Sequence, residues 1–468
     1  MVRFPIGPRW RTPLLGLMVA LACGAPLRAD ERKPNFVFVY SDDHRWDAMG
    51  VVQREQAGRA RFPWIKSPNF DRLAAGGVRF RNAFVTLPLC SPSRAAFLTG
   101  RYNHVNGITN NSTPFPADAV TFATLLRAAG YRTGYIGKWH MGSQKGPRPG
   151  FDYSASYVGQ GRYQDCPFEI NGVNSPTKGW VDDVCTDFAI EWMKKNRDRP
   201  FAMVVGFKSP HGPRGDKQLP ERLRKRYAGQ TSRPTPNCGV PAIFHVPNPQ
   251  TGKYAQGLAD NDTHLDYLRH IDGVDESLGR ILDALADLGI ADDTVIVYCS
   301  DNGFYLGEHC SGDKRSLYEE SIRIPMLVRY PRLFGKGLTV DEMVLNIDLA
   351  PTFLDLAGVP APKEMQGASW KELATGRVPP NWRKSFFAQY YKELGDVPTT
   401  YAVRTKTHVL IKYPNRPEWT EVFDLAADPY EIKNLVSDAA LTLRLEADLA
   451  SLMKTLKYTV PPNANKSR

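Results

Sequence analysis

The chain has 468 residues, 42% of them hydrophobic and 23% charged, and its 60 Lys and Arg outnumber its 49 Asp and Glu to give a net charge of +11. These fractions are ordinary for a globular protein and exclude a disordered or collagen-like chain. The length allows two or three domains with a large core that needs no disulfides. The basic excess favours an acidic partner, and charge alone does not choose between nucleic acid, a membrane surface and an anionic small molecule.

The first 29 residues predict a signal peptide. They carry four arginines and no acid around the apolar run Leu14–Ala22, and small residues precede a cleavage point near Ala29. The run is shorter than the roughly 20 apolar residues that span a bilayer. We expect an exported protein without a transmembrane segment, periplasmic or extracellular, or lysosomal in a eukaryote. Losing four positive charges would lower the net charge from +11 to +7. A lipoprotein attached through Cys23 is the less favoured alternative, because Ala20–Ala22 is a poor lipid-attachment motif.

Beyond the leader, predicted strands alternate with predicted helices. Asn35–Tyr40 is a continuous apolar run of the kind that forms a buried parallel strand. Further strands are predicted at 132–137, 201–207, 294–299 and 326–330. Helices are predicted at 121–129 and, from an amphipathic pattern, at about 264–288. This alternation predicts the α/β class, with a parallel or mixed sheet covered by helices on both faces.

Two later parts of the chain differ in composition and pattern. Residues 216–254 are rich in proline and basic residues, which predicts a long surface loop, and the run Arg222–Arg226 within it is interpreted as a solvated helix face. After residue 375, short strands and then a helix are predicted at 385–391, 399–404, 408–413, 421–425 and 441–456. We therefore predict a main domain at 30–375 and a smaller α+β domain at 376–468.

Polar residues follow four of the predicted strands, at the point where each strand ends. They are Asp42, Asp43, Lys138, His140, His211, Asp301 and Asn302. In open α/β sheets, ligands bind outside the carboxyl ends of the strands. Single Asp or Asn residues at such positions are often only turn or cap residues, but four strand ends together predict one convergent site.

The residue types at these strand ends indicate a metal-assisted anion site. The oxygens of Asp42, Asp43, Asp301 and Asn302 suit Ca²⁺ or Mg²⁺ rather than zinc. Three carboxylates in one site repel each other unless a cation neutralises them. Positive charge and proton-transfer groups are added by Lys138, His140, His211 and Lys314. The sequence therefore predicts a pocket for a tetrahedral oxyanion, with phosphate or sulfate esters as substrates.

The cysteines beyond the leader match no zinc-binding spacing. In an oxidising compartment Cys166 and Cys185 could form a disulfide, whereas Cys299 ends a strand and is expected to be a buried thiol. Cys90 precedes a helical run, so it is placed at a helix N-terminus, where the free N–H groups and Arg94 favour an anion. By itself this pattern also fits a low-pKa thiol.

The segment Cys90–Arg94, continuing through Leu98–Arg101, resembles the signature of the formylglycine-dependent type I sulfatases of the alkaline phosphatase superfamily. The resemblance extends over nearly the whole chain after the leader. It includes 41–43, 137–140, 209–211, 300–303, 313–315, 319–325 and 428–431. It implies an alkaline-phosphatase-like α/β fold with a mixed, mostly parallel sheet, in which 30–375 is the catalytic domain and 376–468 carries a smaller antiparallel sheet.

The resemblance also implies roles for the matching residues. Residue 90, oxidised by a maturase to formylglycine, would attack sulfur as the hydrate and share the Ca²⁺ with Asp42, Asp43, Asp301 and Asn302. The other catalytic residues would act around this hydrate. Arg94 and Lys138 would steady it, Lys314 and His211 would bind the sulfate with one of them protonating the leaving alcohol, and His140 would deprotonate the second hydroxyl to release sulfate.

The sequence says less about which substrate is used than about which reaction takes place. Residues 313–319 and 346–356 look most like the N-acetylglucosamine-6-sulfatase and glycan sulfatase branch, while iduronate- and choline-type sulfatases stay open. His309, Arg315 and Tyr318 are candidates for sugar or sulfate contacts because they surround Lys314, and structural hydrogen bonding explains them equally well. A phosphonate monoester hydrolase or phosphodiesterase and a non-catalytic glycan-binding protein are the alternatives. Nucleic acid is disfavoured because no recognised motif or basic stripe is present.

Overall fold

The computed structural model describes residues 1–5, 7, 33–255 and 257–462. The predicted signal peptide lies outside these residues except at its first few positions, and Cys23 lies outside them, so the leader and the lipoprotein alternative stay predictions. None of the helices in the described ranges combines the length and the apolar character needed to cross a membrane.

The part of the chain before residue 375 alternates strands and helices, as the sequence predicts. Its strands are β1 (Asn35–Asp42), β2 (Val78–Phe80), β3 (Ala83–Phe84), β4 (Arg132–Lys138), β5 (Tyr153–Tyr157), β6 (Phe168–Ile170), β7 (Val173–Ser175), β8 (Phe201–Pro210), β9 (Thr294–Ser300), β10 (Arg323–Ile324), β11 (Met326–Arg329), β12 (Leu338–Val340) and β13 (Val344–Leu345). Its helices are α1 (Gly50–Gln56), α2 (Pro68–Ala75), α3 (Cys90–Thr99), α4 (Asn103–Asn106), α5 (Phe122–Ala128), α6 (Val181–Asn196), α7 (Glu221–Arg224), α8 (Asn261–Asp287), α9 (Glu319–Ile322), α10 (Leu349–Leu356) and α11 (Lys371–Ala374).

A ten-stranded mixed sheet forms the centre of this part, in the order β12-β2-β11-β9-β1-β8-β4-β5-β6-β7. The five central strands, from β9 to β5, are parallel to one another, and antiparallel pairs such as β11–β9 and β5–β6 flank them. Successive side chains of β1 enter the two apolar layers in turn, Phe36 and Phe38 on one face and Val37 and Val39 on the other. Burial on both faces explains why this strand is a continuous apolar run.

Helices cover both faces of the sheet, which confirms the predicted fold class. On the Val37 face, α6 and α8 pack their apolar sides, and on the Phe36 face α3, α5 and α10 do so. Helix α8 begins where the carboxylate of Asp260 accepts a hydrogen bond from Thr263 N at 2.8 Å, an N-cap. Two threonines, Thr121 and Thr124, form a reciprocal capping box at the start of α5.

The C-terminal part is a four-stranded antiparallel sheet packed against one helix. Its elements are β14 (Ser385–Tyr390), β15 (Thr400–Thr405), β16 (His408–Lys412), β17 (Glu421–Asp424) and α12 (Ala439–Thr455). The sheet joins the main core through apolar contacts such as Phe84 with Phe386, whose ring centroids lie 4.9 Å apart. The predicted strands and helix are present, and the predicted domain boundary near residue 375 stays a prediction.

The proline-rich segment 216–254 is mostly irregular, as predicted, and contains α7 and one short 3₁₀ turn. Arg222 and Arg226 are partly exposed and form ion pairs with Glu276 of α8, the arrangement expected of a solvated helix face. The six cysteines in the described ranges are all free thiols. The disulfide between Cys166 and Cys185 is therefore not formed, because both side chains pack as thiols in the apolar layer that contains Val37.

Candidate functional site

The polar strand ends converge at one edge of the sheet. Strands β9, β1, β8 and β4 are adjacent and parallel, so their carboxyl ends lie side by side. Asp43 directly follows β1, Lys138 ends β4, His211 follows β8 and Asp301 follows β9. All four side chains are buried or nearly so. The arrangement is the one expected for a ligand site in an open α/β sheet.

A close approach of two strands positions Lys138. Gly137 has a φ of +89°, and a Cβ atom there would lie 2.1 Å from the carbonyl oxygen of Gly206 in β8. Any other residue would therefore push β4 away from β8 one residue before Lys138. The non-glycine residues Asp43 and His140 also have positive φ values, of 73° and 45°. Backbone strain of this kind persists where the surrounding structure enforces it, and it is frequent at functional sites.

Three carboxylates lie at the centre of the site. One oxygen of each of Asp42, Asp43 and Asp301 lies within 4.8 Å of the other two, and these residues are at most 1% exposed. Burial and the charge of Asp42 raise the pKa of Asp301 to about 7, and burial raises that of Asp43. Three ionised carboxylates at this spacing need positive charge nearby.

Three cationic side chains supply part of that charge. Arg94 donates to Asp301 at 2.6 Å and lies 3.1 Å from Asp42, and Lys138 forms an ion pair with Asp42. Although burial acts in the opposite direction, nearby positive charge, above all that of Lys138, holds the pKa of Asp42 well below its ordinary value. The third cation is Lys314, whose ammonium lies 2.7 Å from Asp43.

Cys90 is the first residue of α3, as the sequence predicts, and it faces these carboxylates. Its Sγ lies 3.4 Å from Asp42 Oδ1, and Arg94 follows it by one helical turn. Burial, reinforced by the charge of Asp42, raises the pKa of the Cys90 thiol to about 12. This direction is opposite to that expected of a low-pKa thiol, because burial and the neighbouring carboxylate act against the helix N-terminus.

The donor set around Cys90 fits a hard divalent cation. The Oδ1 atom of Asn302 is buried and has no hydrogen-bond partner among the described residues, while its Nδ2 donates to Asp43 at 2.7 Å. Carboxylate and amide oxygens are the ligands that Ca²⁺ prefers. An oxygen left unpaired in the interior is costly, and a cation held by these residues would remove that cost.

The two histidines of the site have different neighbours. His140 Nε2 is 3.1 Å from Gln160 Nε2, and Gln160 Oε1 accepts a hydrogen bond from Lys138. His211 lies within 4.8 Å of donor atoms of Asp42 and Cys90. Burial, reinforced by the charge of Lys138, lowers the pKa of His140 to about 2 and that of His211 well below its ordinary value.

A cavity of about 290 Å³ opens beside His140 and Gln160. Its lining includes residues 109–112 and Tyr391–Leu394, which follow β14. Most of the lining side chains carry amide, hydroxyl or charged groups. A cavity of this size can hold a sugar-sized ligand next to His140.

The three residues predicted to contact substrate are not alike. Arg315 bridges Asp313 at 2.6 Å and Glu393 at 3.3 Å, which places it next to the cavity wall. His309 and Tyr318 stack on each other with ring centroids 4.2 Å apart and are at most 2% exposed. His309 contacts Asn237, and Tyr318 donates a hydrogen bond to Glu421, so neither is directed at the cavity beside His140. Structural hydrogen bonding, the alternative to substrate contact, fits these two residues.

Two side chains next to the site, those of Gln160 and Glu393, are not among the site residues predicted from the sequence. Gln160 contacts both Lys138 and His140, and Glu393 accepts a hydrogen bond from Asn111 N at 2.8 Å at the cavity wall. Gln160 lies just beyond β5, a strand parallel to β4. The rule that located the other residues would have found it, had Tyr153–Tyr157 been identified as a strand.

Comparison with known proteins identifies the family. Residues 34–359 match the family model described as Sulfatase, and residues 307–458 match the model described as N-sulphoglucosamine sulphohydrolase, C-terminal. The chain belongs to the sulfatase family. It is a sulfuric ester hydrolase, and its mixed, mostly parallel sheet with a C-terminal antiparallel sheet is the alkaline-phosphatase-like fold of that family, as the motifs imply.

Similar proteins include several that act on carbohydrates. An N-acetylglucosamine-6-O-sulfatase of Bacteroides thetaiotaomicron is 33% identical over 95% of this chain and 90% of its own length. An ulvan-active sulfatase of Formosa agariphila is 30% identical over 91% of this sulfatase and 81% of its own length. A solved structure in complex with its substrate D-glucosamine-2-N,6-O-disulfate is 32% identical, with a TM-score of 0.78 over 92% of this chain and 99% of that chain. A phosphonate monoester hydrolase of Agrobacterium radiobacter, 21% identical with a TM-score of 0.74 over 93% of this chain and 99% of its own, shares the fold.

Proposed function

We propose that this sulfatase is exported and hydrolyses a sulfate ester of a carbohydrate, with 6-O-sulfated N-acetylglucosamine as the best candidate substrate. The observation that carries the proposal is the convergence of three carboxylates and three cationic side chains on Cys90, together with a cavity of about 290 Å³ that is lined by His140 and Gln160. The 33% identity to an N-acetylglucosamine-6-O-sulfatase supports the choice of sugar. Export rests on the predicted leader.

The proposal includes a resident calcium ion held by Asp42, Asp43, Asp301 and Asn302, together with residue 90. When bound, the ion would supply positive charge for the sulfate oxygens and favour the ionised form of a hydroxyl at residue 90. The chain contributes an arrangement of buried oxygens that includes one unpaired amide oxygen. It also contributes Arg94, which holds Asp301 in place.

Residue 90 is proposed to act as formylglycine, produced from Cys90 by a maturase. The hydrated aldehyde supplies two hydroxyls, one for attack on sulfur and one for release of the product, which a thiol or a serine lacks. The thiol of Cys90, with a pKa raised to about 12, is a poor nucleophile at neutral pH. The first turn of α3 supplies backbone N–H groups toward a negatively charged residue 90.

Lys314 and His211 are proposed to bind the sulfate. The carboxylate of Asp43, 2.7 Å away, outweighs burial and raises the pKa of Lys314, so the side chain remains an ammonium that can attract the anion. The charges that lower the pKa of His211 are those of neighbouring lysines. A bound anion offsets these charges, so one of the two groups can then donate a proton to the departing alcohol.

His140 is proposed to accept a proton at residue 90. Its lowered pKa keeps the ring neutral near pH 7, the form that can accept a proton. The side chain of Gln160 contacts Nε2 of His140, while Nδ1 of His140 is buried without a hydrogen-bond partner in the described residues. Lys138 and Arg94 keep the surroundings positive as negative charge develops at residue 90.

The test is sulfate release from a panel of sulfated mono- and disaccharides, with an aryl sulfate and an aryl phosphodiester as references. The protein is produced with a maturase so that residue 90 is modified. We expect the highest kcat/KM on a 6-O-sulfated N-acetylglucosamine. A dominant rate on the phosphodiester would favour a phosphonate monoester hydrolase or phosphodiesterase. Glycan binding without turnover that is indifferent to Cys90→Ala would indicate a non-catalytic binding protein.

A further inference from the structure

A second group of buried polar side chains lies outside the site described above. It consists of Asn237, His309, Glu320 and Glu431, here called the His309 cluster. Asn237 belongs to the proline-rich loop, His309 to the loop after β9, Glu320 to α9 and Glu431 to the segment between β17 and α12. Separate elements and loops of the chain therefore meet at this point, and none of the four residues is more than 7% exposed.

The potential ligand atoms of the cluster are close together. One donor atom of each of His309, Glu320 and Glu431 lies within 4.8 Å of the other two. His309 Nε2 is 3.9 Å from Glu320 Oε2. These separations are too long for direct hydrogen bonds between the groups, and they leave room for an ion between them.

Acceptors outnumber donors in the cluster. Asn237 Nδ2 faces three groups: His309 Nε2 at 3.1 Å, Glu320 Oε1 at 2.8 Å and the carbonyl of Tyr430 at 3.1 Å. An amide nitrogen carries only two hydrogens, so these contacts cannot all be hydrogen bonds. In addition, Glu320 Oε2, Glu431 Oε1 and Asn237 Oδ1 are buried without a partner in the described part of the chain.

The two carboxylates of the cluster also lack cationic partners. The adjacent acids are neutralised, Glu308 by Arg45 and Arg61 and Glu319 by Arg404. Within 33–255 and 257–462, neither carboxylate of the cluster forms an ion pair with a lysine or arginine. Burying an unpaired carboxylate is costly, so each must either take up a proton or hold a cation.

We propose that the His309 cluster binds one divalent transition-metal ion, zinc or manganese, through His309 Nε2, Glu320 Oε2 and Glu431 Oε1. An imidazole nitrogen favours these metals over calcium and magnesium. The ion would take the place of the contact between Asn237 Nδ2 and His309 Nε2. Asn237 would still donate to Glu320 Oε1, which orients the second carboxylate oxygen toward the metal.

Such an ion would join the C-terminal part of the chain to the loops of the main core. Glu431 accepts a hydrogen bond from Glu319 N at 2.8 Å, and His309 stacks on Tyr318. Glu319 is the first residue of α9 and Tyr318 directly precedes it, so both contacts are made at the start of this helix. A cleft of about 370 Å³ is lined by Glu320 of the cluster and by Tyr430. Binding energy at this point would appear as folding stability.

The test uses the full chain. Bound metal is removed with a chelator, and the protein is then kept in excess Ca²⁺ so that the proposed calcium site at residue 90 is filled. Zinc alone is added, and the protein is separated from free metal by gel filtration. We expect about one zinc per chain by elemental analysis, together with a higher Tm. Cobalt in place of zinc should give visible absorption bands typical of nitrogen and oxygen ligands. The cobalt spectrum of the unaltered protein provides a test that needs no variant.

Glu320→Gln and Glu431→Gln keep the size of each side chain and remove its charge. We expect each to weaken zinc binding by more than about tenfold and to abolish the zinc-dependent rise in Tm. Glu421→Gln is the matched control, because Glu421 is also buried but accepts hydrogen bonds from Tyr318 and Tyr413 at 2.8–3.0 Å. The proposal is overturned if the unaltered chain retains no zinc and gives no cobalt spectrum. Equal zinc retention by the Glu320→Gln variant would overturn it as well.

Discussion

The Nε2 atom of Gln160 lies 3.1 Å from Nε2 of His140, and the other end of the same amide accepts a hydrogen bond from Lys138. One side chain thus fixes the orientation of two groups proposed to act at residue 90. We expect Gln160→Ala to lower kcat about 10–100-fold with little change in KM, as is typical when a group that orients a catalytic side chain is lost.

Gln164→Ala is the control for this substitution. Gln164 lies in the same loop, but its amide donates to the carbonyl of Gln218 at 3.3 Å. Steady-state kinetics on the same sulfate ester should leave this variant close to the unaltered enzyme. An unchanged kcat in Gln160→Ala would show that Gln160 does not position His140 or Lys138.

Much of the site could be predicted because residues at the ends of parallel strands must meet. The apolar runs of β1, β8 and β9 are long enough to identify, so Asp43, His211 and Asp301 follow directly. Gln160 was not predicted as a site residue because the preceding strand β5, with the sequence Tyr-Ser-Ala-Ser-Tyr, has no apolar run that would identify it as a strand. The short strands β2, β3 and β10, of two or three residues each, give no pattern for the same reason.

The direction of a loop side chain could not be predicted from its neighbours in sequence. His309 and Tyr318 flank Lys314, yet their partners are Asn237 and Glu421, about 70 and 100 residues away. Such contacts depend on the packing of the C-terminal sheet against the main core. The free thiols of Cys166 and Cys185 are a similar case, because their spacing gives no information about their geometry.

Removal of calcium should abolish activity reversibly. The three central carboxylates and Asn302 are proposed to hold the ion, so a chelator is expected to eliminate sulfate release and added Ca²⁺ to restore it. Asp301→Asn should raise the Ca²⁺ concentration needed for half-maximal activity at least about tenfold, because one charged ligand is lost. Calcium titrations of both proteins by activity provide the measurement. Full activity in excess chelator would contradict a calcium-dependent reaction.

Glu393 is expected to act on substrate binding rather than on the reaction. Its carboxylate lies at the cavity wall and is held by Asn111 N at 2.8 Å and Arg315 at 3.3 Å. Glu393→Gln should raise KM for a sulfated sugar by about tenfold, the effect of one hydrogen bond of about 1.4 kcal/mol. The rate on a small aryl sulfate should stay unchanged. Glu418→Gln, an exposed residue paired only with Arg416 at 3.5 Å, serves as control, and equal losses on both substrates would argue against a role in sugar binding.

Stability should depend on pH through Asp272 in α8. Burial raises the pKa of this carboxyl to about 7, and the Tyr227 hydroxyl donates to it at 2.6 Å. In the unfolded chain the pKa is about 3.9, so between about pH 4 and about pH 7 the folded state binds more protons than the unfolded state. The contribution of this group to the free energy of unfolding therefore falls as pH rises through that window.

Asp272→Asn should remove this dependence while keeping the hydrogen bond from Tyr227. We expect equal stability near pH 4 and a variant that is more stable by about 1 kcal/mol or more at pH 8, measured by urea unfolding. Asp283→Asn in the same helix, where Asp283 is mostly exposed and pairs with Arg72, should give a constant offset instead. A constant difference for Asp272→Asn would mean that Asp272 does not titrate in this range.

The central claim is that residue 90 acts as formylglycine in sulfate hydrolysis. The most direct measurement is mass spectrometry of the peptide that contains residue 90, made on the same preparation whose sulfate release from 6-O-sulfated N-acetylglucosamine is assayed. We predict that activity rises in proportion to the fraction of residue 90 present as the aldehyde, and that Cys90→Ala releases no sulfate. Full activity from protein in which Cys90 is entirely a thiol would contradict the account.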